Sequence, residues 1–345
     1  MESLRNRYAL VADIGGTNAR FAVVDLHTLE LEKISLFVCA DFPSLADAIR
    51  SYQETHQLQW LKHAIIAIAC PVHQDTVHMT NFHWRFSISG LKKELEFHSL
   101  HVINDFTAIA MSLPYLSDKD IKQAGAGNSI AEKPRVVLGA GTGLGVSTLV
   151  FTDEYYEVLP GEGGHMSWAA ENEQEWFIQR FLADKYQHVS AERILSGAGL
   201  ENLYQALAAY QSLAVPPLRA EEIAHSALSE KCPLAKAAVL QFFASMGAVA
   251  GNLALAIGAF GGVYIAGGIV PKLLVLLSES TFRERFEGKG RFAAYNRQIP
   301  TYIISAGQPG ILGAAVWLKQ YRIKKQTSYR VALMERSVIK VKATI

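Results

Sequence analysis

Hydrophobic runs and polar breaks divide this chain into short elements. Tyr8–Ala12 and Phe21–Asp25 are apolar runs on either side of Asp13-Ile-Gly-Gly-Thr-Asn18, a pattern that predicts a β-hairpin. Ile34–Cys39 predicts a third strand. After Pro43 and Ser44, residues Leu45, Ala48, Ile49 and Tyr52 fall at helical spacing. His63–Cys70 is a continuous apolar run, as in a strand buried on both faces, and Pro71 stops it. Val77–Asn81 and Trp84–Ser87 predict shorter strands, Ile88–Leu95 a helix, Leu100–Ile103 a strand, and Phe106–Leu113 a helix closed by Pro114.

This order, strands first and then helix–strand–helix, predicts an α/β unit with a mixed sheet. A second such unit starts near Pro134, with a strand over Arg135–Gly139, a glycine turn over Gly139–Gly145, and strands over Val146–Phe151 and Tyr155–Leu159. Strand, glycine turn, strand therefore occurs twice and reads as an internal duplication. The polar stretch Leu116–Lys133, with Gly125-Ala-Gly-Asn128, marks the boundary. From Glu173 onward the pattern is mainly helical, over Gln174–Tyr186, Ala198–Ala209, Arg219–Ala227 and Cys232–Ile257. Val263–Ala266 predicts a strand ending in Gly267-Gly268, Pro300–Ser305 another, and Gly310–Gln320 a helix. The tail Tyr321–Ile345 is basic in its first half and is assigned no element.

A length of 345 residues suits about two domains. With 33 basic and 32 acidic side chains, bulk charge gives no case for nucleic acid or an anionic membrane. The three cysteines, Cys39, Cys70 and Cys232, have no metal or disulfide spacing and read as buried thiols in a reducing compartment. The most apolar stretch, Gly247–Val270, carries seven glycines and predicts a buried helix and strand rather than a membrane span. A cytoplasmic location is expected, with no membrane partner and no nucleic acid.

The candidate chemistry lies at the glycine turns. Gly15 and Gly16 lack a Cβ, so their backbone is free to approach a ligand or adopt positive φ. Thr17 and Asn18 add side-chain donors, turn N–H groups can form an anion concavity, and Asp13 could hold a hydrated divalent cation. A phosphate hairpin and an ordinary Gly-Gly hairpin both fit this stretch alone. No dinucleotide G-x-G-x-x-G spacing and no P-loop occurs, so a phosphate site here needs two facing hairpins, with Gly141-Thr142-Gly143 as the second. Asp105 follows a strand end, where ligands sit in open α/β sheets, and could take a proton from an attacking alcohol. Asn104-Asp105 equally suits a helix N-cap, and the two roles can coexist. Glu162 and His165, in Gly161-Glu-Gly-Gly-His165, suit vicinal hydroxyls but also suit a plain surface loop. His63 and His73 have no ligand spacing, and Trp84-Arg85-Phe86 fits packing better than a stacking platform.

Asp13-Ile-Gly-Gly-Thr-Asn18, Gly139-Ala-Gly-Thr-Gly-Leu-Gly145 and Val263-Tyr-Ile-Ala-Gly-Gly268 resemble the two phosphate motifs and the adenosine motif of the superfamily shared by sugar kinases, heat-shock ATPases and actin. Ile68-Ala-Cys-Pro71, Met79-Thr-Asn81, Ile103-Asn-Asp-Phe-Thr-Ala108, Leu159-Pro-Gly-Glu-Gly-Gly-His165 and Ala191-Glu-Arg-Ile-Leu-Ser-Gly197 resemble the bacterial glucokinases of the proteobacterial type. The motifs come in the family's order over about Tyr8–Leu318. The chain lacks the cysteine-rich zinc motif of the repressor/open-reading-frame/kinase branch. It also reads Ser167-Trp-Ala-Ala170 where many relatives read Asp-Phe-Ala-Pro.

The resemblance implies an actin-like ATPase (ribonuclease H-like) fold of two α/β domains about a cleft. The small domain is expected over 1–115 plus 314–345 and the large one over 116–313. It implies ATP-dependent phosphorylation of glucose at the 6-hydroxyl, with Asp105 as the catalytic base. Asn104, Asp105, Glu162, His165 and Glu192 would bind the sugar. Residues Ala12, Asp13, Ile14, Gly15, Gly16, Thr17 and Asn18, with Gly141, Thr142, Gly143, Gly267 and Gly268, would bind ATP, and Asp13 would hold Mg²⁺ through water. A homodimer is the expected assembly. Two alternatives remain at this stage: a kinase for another hexose, and a sugar-sensing regulator without turnover.

Overall fold

The computed structural model describes residues 6–80 and 82–342, and over 328–342 the backbone alone. Asn81, part of the Met79-Thr-Asn81 motif, lies outside the described residues. The chain divides into two compact units, one built from the residues up to Tyr115 and from Gln308 on, the other from Leu116–Gly307.

In the first unit, β1 (Tyr8–Ile14), β2 (Asn18–Asp25) and β3 (Leu31–Val38) form an antiparallel meander. β4 (His63–Ile68) lies parallel to β1, and β7 (Ser99–Asn104) parallel to β4, giving the order β3-β2-β1-β4-β7. β5 (Thr76–His78) and β6 (Arg85–Ser87) make a separate small ribbon. The helix Leu45–His56 begins at Ser44, whose hydroxyl accepts from the Asp47 N–H at 3.2 Å, and covers one face of the sheet. The other face is closed by Ile311, Ala314, Ala315 and Leu318 of the helix Pro309–Lys342. That helix packs along Asp105–Ser112 so closely that a Cβ on Gly313 would collide with the Ala108 carbonyl.

The second unit contains β8 (Ile121–Gly125), β9 (Arg135–Ala140), β10 (Leu144–Thr152), β11 (Tyr155–Gly161), β12 (Val263–Ala266) and β13 (Thr301–Ile304). Its sheet runs β11-β10-β9-β12-β13-β8. The first five strands repeat the first unit's arrangement: an antiparallel meander, then two strands added in parallel. The sequence duplication is thus a duplication of sheet topology. The apolar helix Pro233–Ile257, opened by Pro233 and ended by Gly258 in the left-handed region, lies within this unit's core. It is long and apolar enough to cross a membrane, but most of that stretch is buried in the protein.

Two departures from the sequence reading have local causes. The polar stretch expected as a boundary carries β8, an edge strand antiparallel to β13. Its Lys122 and Gln123 are exposed, so no apolar pattern announces it. The helix expected over 310–320 runs on to Lys342, through the basic tail.

Candidate active site

Each unit gathers its own set of the sequence-selected residues. In the first, parallel pairing sets Ile14 beside Ile68 and Ile68 beside Asn104. The carboxyl ends of β1, β4 and β7 therefore lie level, and Asp13, Asn104 and Asp105 come together at that edge.

Asn104 caps the helix Asp105–Ser112. Its Oδ1 accepts from the N–H groups of Phe106 at 2.9 Å and Thr107 at 3.2 Å. Its Nδ2 donates to Asp105 Oδ1 at 2.9 Å and, at 3.4 Å, to the Cys70 carbonyl. The Phe106 N–H also donates to Asp105 Oδ1 at 3.0 Å. Asp105 Oδ2 accepts no hydrogen bond from the described residues. Burial, with the neighbouring charge of Asp13 second, pushes the Asp105 carboxyl up to about 7, against the opposing bonds from Phe106 and Asn104. Burial likewise raises Asp13, and Arg20, directly across the hairpin, opposes this. Gly310, in the first turn of the helix Pro309–Lys342, lies against the Asp13 carboxylate; a Cβ there would stand 2.7 Å from Oδ2. The positive end of that helix thus faces the carboxylate.

The Asp13–Asn18 turn is closed by Gly15 N–H to the Asn18 carbonyl at 2.9 Å and Cys39 N–H to the Thr17 carbonyl at 2.8 Å. Neither Gly15 nor Gly16 has a positive φ, so left-handed backbone is not what this turn draws from its glycines. Thr17 and Asn18 are exposed.

In the second unit the glycine turn tightens to Gly141–Gly143, because Gly139 and Gly145 already belong to β9 and β10. Later segments pack on this hairpin. Glu192 Oε2 accepts from the Leu144 N–H at 2.9 Å, and a Cβ on Gly143 would lie 2.5 Å from that oxygen. The Gly197 N–H donates to the Gly141 carbonyl at 2.9 Å. Gly267, at φ +88°, lies against the backbone of Ala140 too closely for any side chain, while Gly268 beside it stands in open space. The loop after β11 holds exposed Glu162 and His165, with the His165 N–H on the Glu162 carbonyl at 3.0 Å. It joins the Glu192 segment through the Ala191 N–H on the Met166 carbonyl at 2.8 Å. Trp168, in the loop that departs from the expected motif, points inward and is buried.

Sequence reasoning did not find Arg20, Gly310 or His188, whose Nε2 lies 2.9 Å from the His165 carbonyl oxygen. Pro309 at a helix start was the one legible signal for Gly310. His63 bonds Ser99 and Asn6. Trp84 is buried, with its indole N–H on the Phe42 carbonyl at 3.2 Å, and is a packing group.

The family model described as Glucokinase matches residues 10–321. A curated glucokinase from Erwinia tasmaniensis is 46% identical over 314 residues, 91% of this chain and 98% of its own length. The crystal structure of a glucokinase from an Antarctic psychrotroph superposes with a TM-score of 0.83 at 39% identity, over 91% of this chain and 99% of that one. A glucokinase of the repressor/open-reading-frame/kinase family from Streptomyces griseus, in complex with glucose and AMPPNP, shares the fold at 17% identity and a TM-score of 0.58, over 89% and 98%. With residues 10–321 matched and near-complete alignment to a relative 46% identical, the chain belongs to the glucokinase family.

Proposed function

We propose that this chain transfers the γ-phosphoryl group of ATP to the 6-hydroxyl of D-glucose, giving ADP and glucose 6-phosphate, the first step of glycolysis. The observation that carries the mechanism is the Asp105 carboxyl. It sits at a strand end, its Oδ1 is fixed by two donors, its Oδ2 is uncommitted, and it titrates near 7. A carboxylate poised near the working pH is an effective general base. Asp105 Oδ2 accepts the proton of the sugar hydroxyl as its oxygen forms a bond to the γ-phosphorus and the bond to the ADP oxygen breaks. Asn104 orients Asp105 and has a second amide hydrogen to offer a sugar hydroxyl in place of its long bond to Cys70.

Glu162, His165 and Glu192 make up the sugar shell in this reading. Glu192 is held by Leu144 through one oxygen, which leaves the other for a hydroxyl. The turns Ala12–Asn18 and Gly141–Gly143, with Gly267-Gly268, offer backbone N–H groups and open space to the nucleotide; nothing lies within 4 Å of a Cβ on Gly141 or Gly268. Two neighbouring acidic groups, both raised by burial and with Arg20 opposing at Asp13, fit a hydrated Mg²⁺ near Asp13. When bound, Mg²⁺ supplies neutralisation of phosphate charge. Asp13 would hold it through water rather than in an all-protein cage, for among the described residues no three His, Cys, Asp or Glu side chains stand together. The proposal also requires the two units to enclose one ligand, in the manner of the actin-like ATPases, and to exclude water. The expected homodimer draws support from the outward apolar row Ile34, Leu36 and Val38 on edge strand β3, and sedimentation velocity tests it.

Release of ADP from Mg-ATP over a panel of glucose, mannose and N-acetylglucosamine tests the substrate. Asp105→Ala is expected to lower kcat by about 10²–10⁴-fold with ATP binding retained. Near-normal turnover by that variant overturns the assignment.

A further inference from the structure

The opposite end of the first sheet gathers histidine and basic side chains. β4 and β7 run parallel with His63 beside Ser99 and Ile68 beside Asn104. Their starting ends therefore lie about 16 Å along the strands from the edge that carries Asn104. At the starting ends a cavity of about 340 Å³ opens, a volume in the range of small-ligand sites. Its walls carry His63, His98 and His101 from the strand side, Lys92 from the helix Ile88–Glu94, and Arg322 and Lys325 from the helix Pro309–Lys342. Among the described residues no carboxylate lines it. Arg322 and Lys325 also lie past the segment that the family model matches.

These groups are gathered without a counter-charge among the described residues. Among the described residues Lys92, Arg322 and Lys325 take part in no ion pair. The His101 Nε2 atom is buried and has no hydrogen-bond partner among the described residues. Burial first, then Arg322, His98 and His101, hold the His63 imidazole down to about 4. Burial, Lys325 and Lys92 lower His101. The assembly is nonetheless well fixed. The Arg322 guanidinium donates to the Asn6 carbonyl at 2.6 Å, and His63 lies between Asn6 and Ser99 at 3.0 and 2.7 Å. Tyr321 stacks on Trp317 at 5.2 Å and meets the His101 ring at 4.5 Å, which gives the cavity an aromatic wall.

We propose that this cavity binds a small phosphorylated metabolite through its phosphomonoester dianion, at a site separate from the one where phosphoryl transfer takes place. Arginine and lysine match a phosphate dianion in charge and donors. The Tyr321 ring and the Ser99 hydroxyl suit the polar body that the phosphate is attached to. A bound dianion also offsets the mutual repulsion of the basic groups, so it raises the titration of His63 and His101.

Calorimetry on the full chain tests this, with glucose saturating so that the sugar shell is filled, and with inorganic phosphate and glucose 6-phosphate titrated separately. Saturable binding is expected. It should weaken about tenfold or more in Arg322→Gln/Lys325→Gln while kcat/KM for glucose is unchanged. The single variant Lys325→Gln, at an exposed position, serves where the double variant folds poorly. Tighter binding of glucose 6-phosphate than of phosphate assigns a sugar phosphate, and equal binding assigns free phosphate; both support an anion site. Histidine resonances of the wild type should titrate at higher pH with the anion present. No saturable binding up to tens of millimolar, or binding unchanged in both variants, overturns the proposal. Neither result bears on phosphoryl transfer, which Asp105→Ala tests by itself.

Discussion

Replacing Asp105 by Asn should make the folded chain more stable, and the gain should grow with pH. In the folded chain the carboxyl titrates near 7, against 3.8 for the ordinary group. The folded state therefore holds this proton more tightly than the unfolded state does. The stability linked to it is complete below about pH 4 and is lost as pH rises through about 7. A shift of about three pH units, at 1.36 kcal/mol each, corresponds to about 4 kcal/mol lost once the group is fully ionised. About half of that loss, ~2 kcal/mol, falls between about pH 5.5 and 8.5. Asparagine keeps the oxygen that accepts from Phe106 and Asn104 and carries no charge to desolvate. Urea unfolding of both proteins at the two pH values, followed by circular dichroism and tryptophan fluorescence, reads the difference. The stability gap between Asn and Asp should widen by ~2 kcal/mol at the higher pH, in the ligand-free protein. A gap that stays constant or narrows refutes the placement of a buried, destabilising carboxylate at Asp105. The same variant is expected to lose turnover, since what burdens the fold here serves the reaction.

The acid limb of kcat/KM should fall about tenfold per pH unit below about 7, and Asp13→Asn should move that limb to lower pH by removing a neighbouring charge; a limb that stays in place removes Asp13 as the neighbour. Gly143→Ala places a Cβ on the Glu192 carboxylate and should break its bond to Leu144, raising the KM for glucose about tenfold in steady-state assays. Glu175, almost fully buried, pairs with Arg285 at 2.8 Å and accepts from Gln241 at 2.9 Å, so Glu175→Ala leaves the Gln241 amide short of a partner and Arg285 with Glu171 alone, at 3.2 Å, and should cost about 1–3 kcal/mol by thermal unfolding.

Much of the frame was legible because the core strands are continuous apolar runs and the turns between them are glycine-rich. His63–Ile68 and Val263–Ala266 declare themselves, and the two hairpins repeat in both sequence and topology. The edge strand Ile121–Gly125 did not, because an exposed edge needs no apolar face. In the site, the place of Asp105 after a strand fits a base and a helix cap equally, and the resemblance decides for the base; its acidity depends on burial and on Asp13, which are tertiary facts. Glu192 was named by resemblance alone. Its tie to Leu144 joins residues far apart in the chain, and no local spacing could reveal it. Gly310 and Arg20 were invisible for the same reason: one reaches Asp13 through a helix that returns from the far end of the chain, the other through hairpin register.

The return of that last helix has a consequence for synthesis. Ala9, Val11, Ala22, Val24, Ile65 and Ala67 form one apolar face of the first sheet, and its cover is Ile311, Ala314, Ala315 and Leu318. As the chain leaves the ribosome, that face stays uncovered throughout translation of Leu116–Gly307. The nascent chain therefore carries a partly open apolar sheet face, with Ala108 but not the later helix against it, over that interval. It also lacks the helix that backs Asp105–Ser112 and faces Asp13, so that edge is finished only after Pro309–Leu318 has been made.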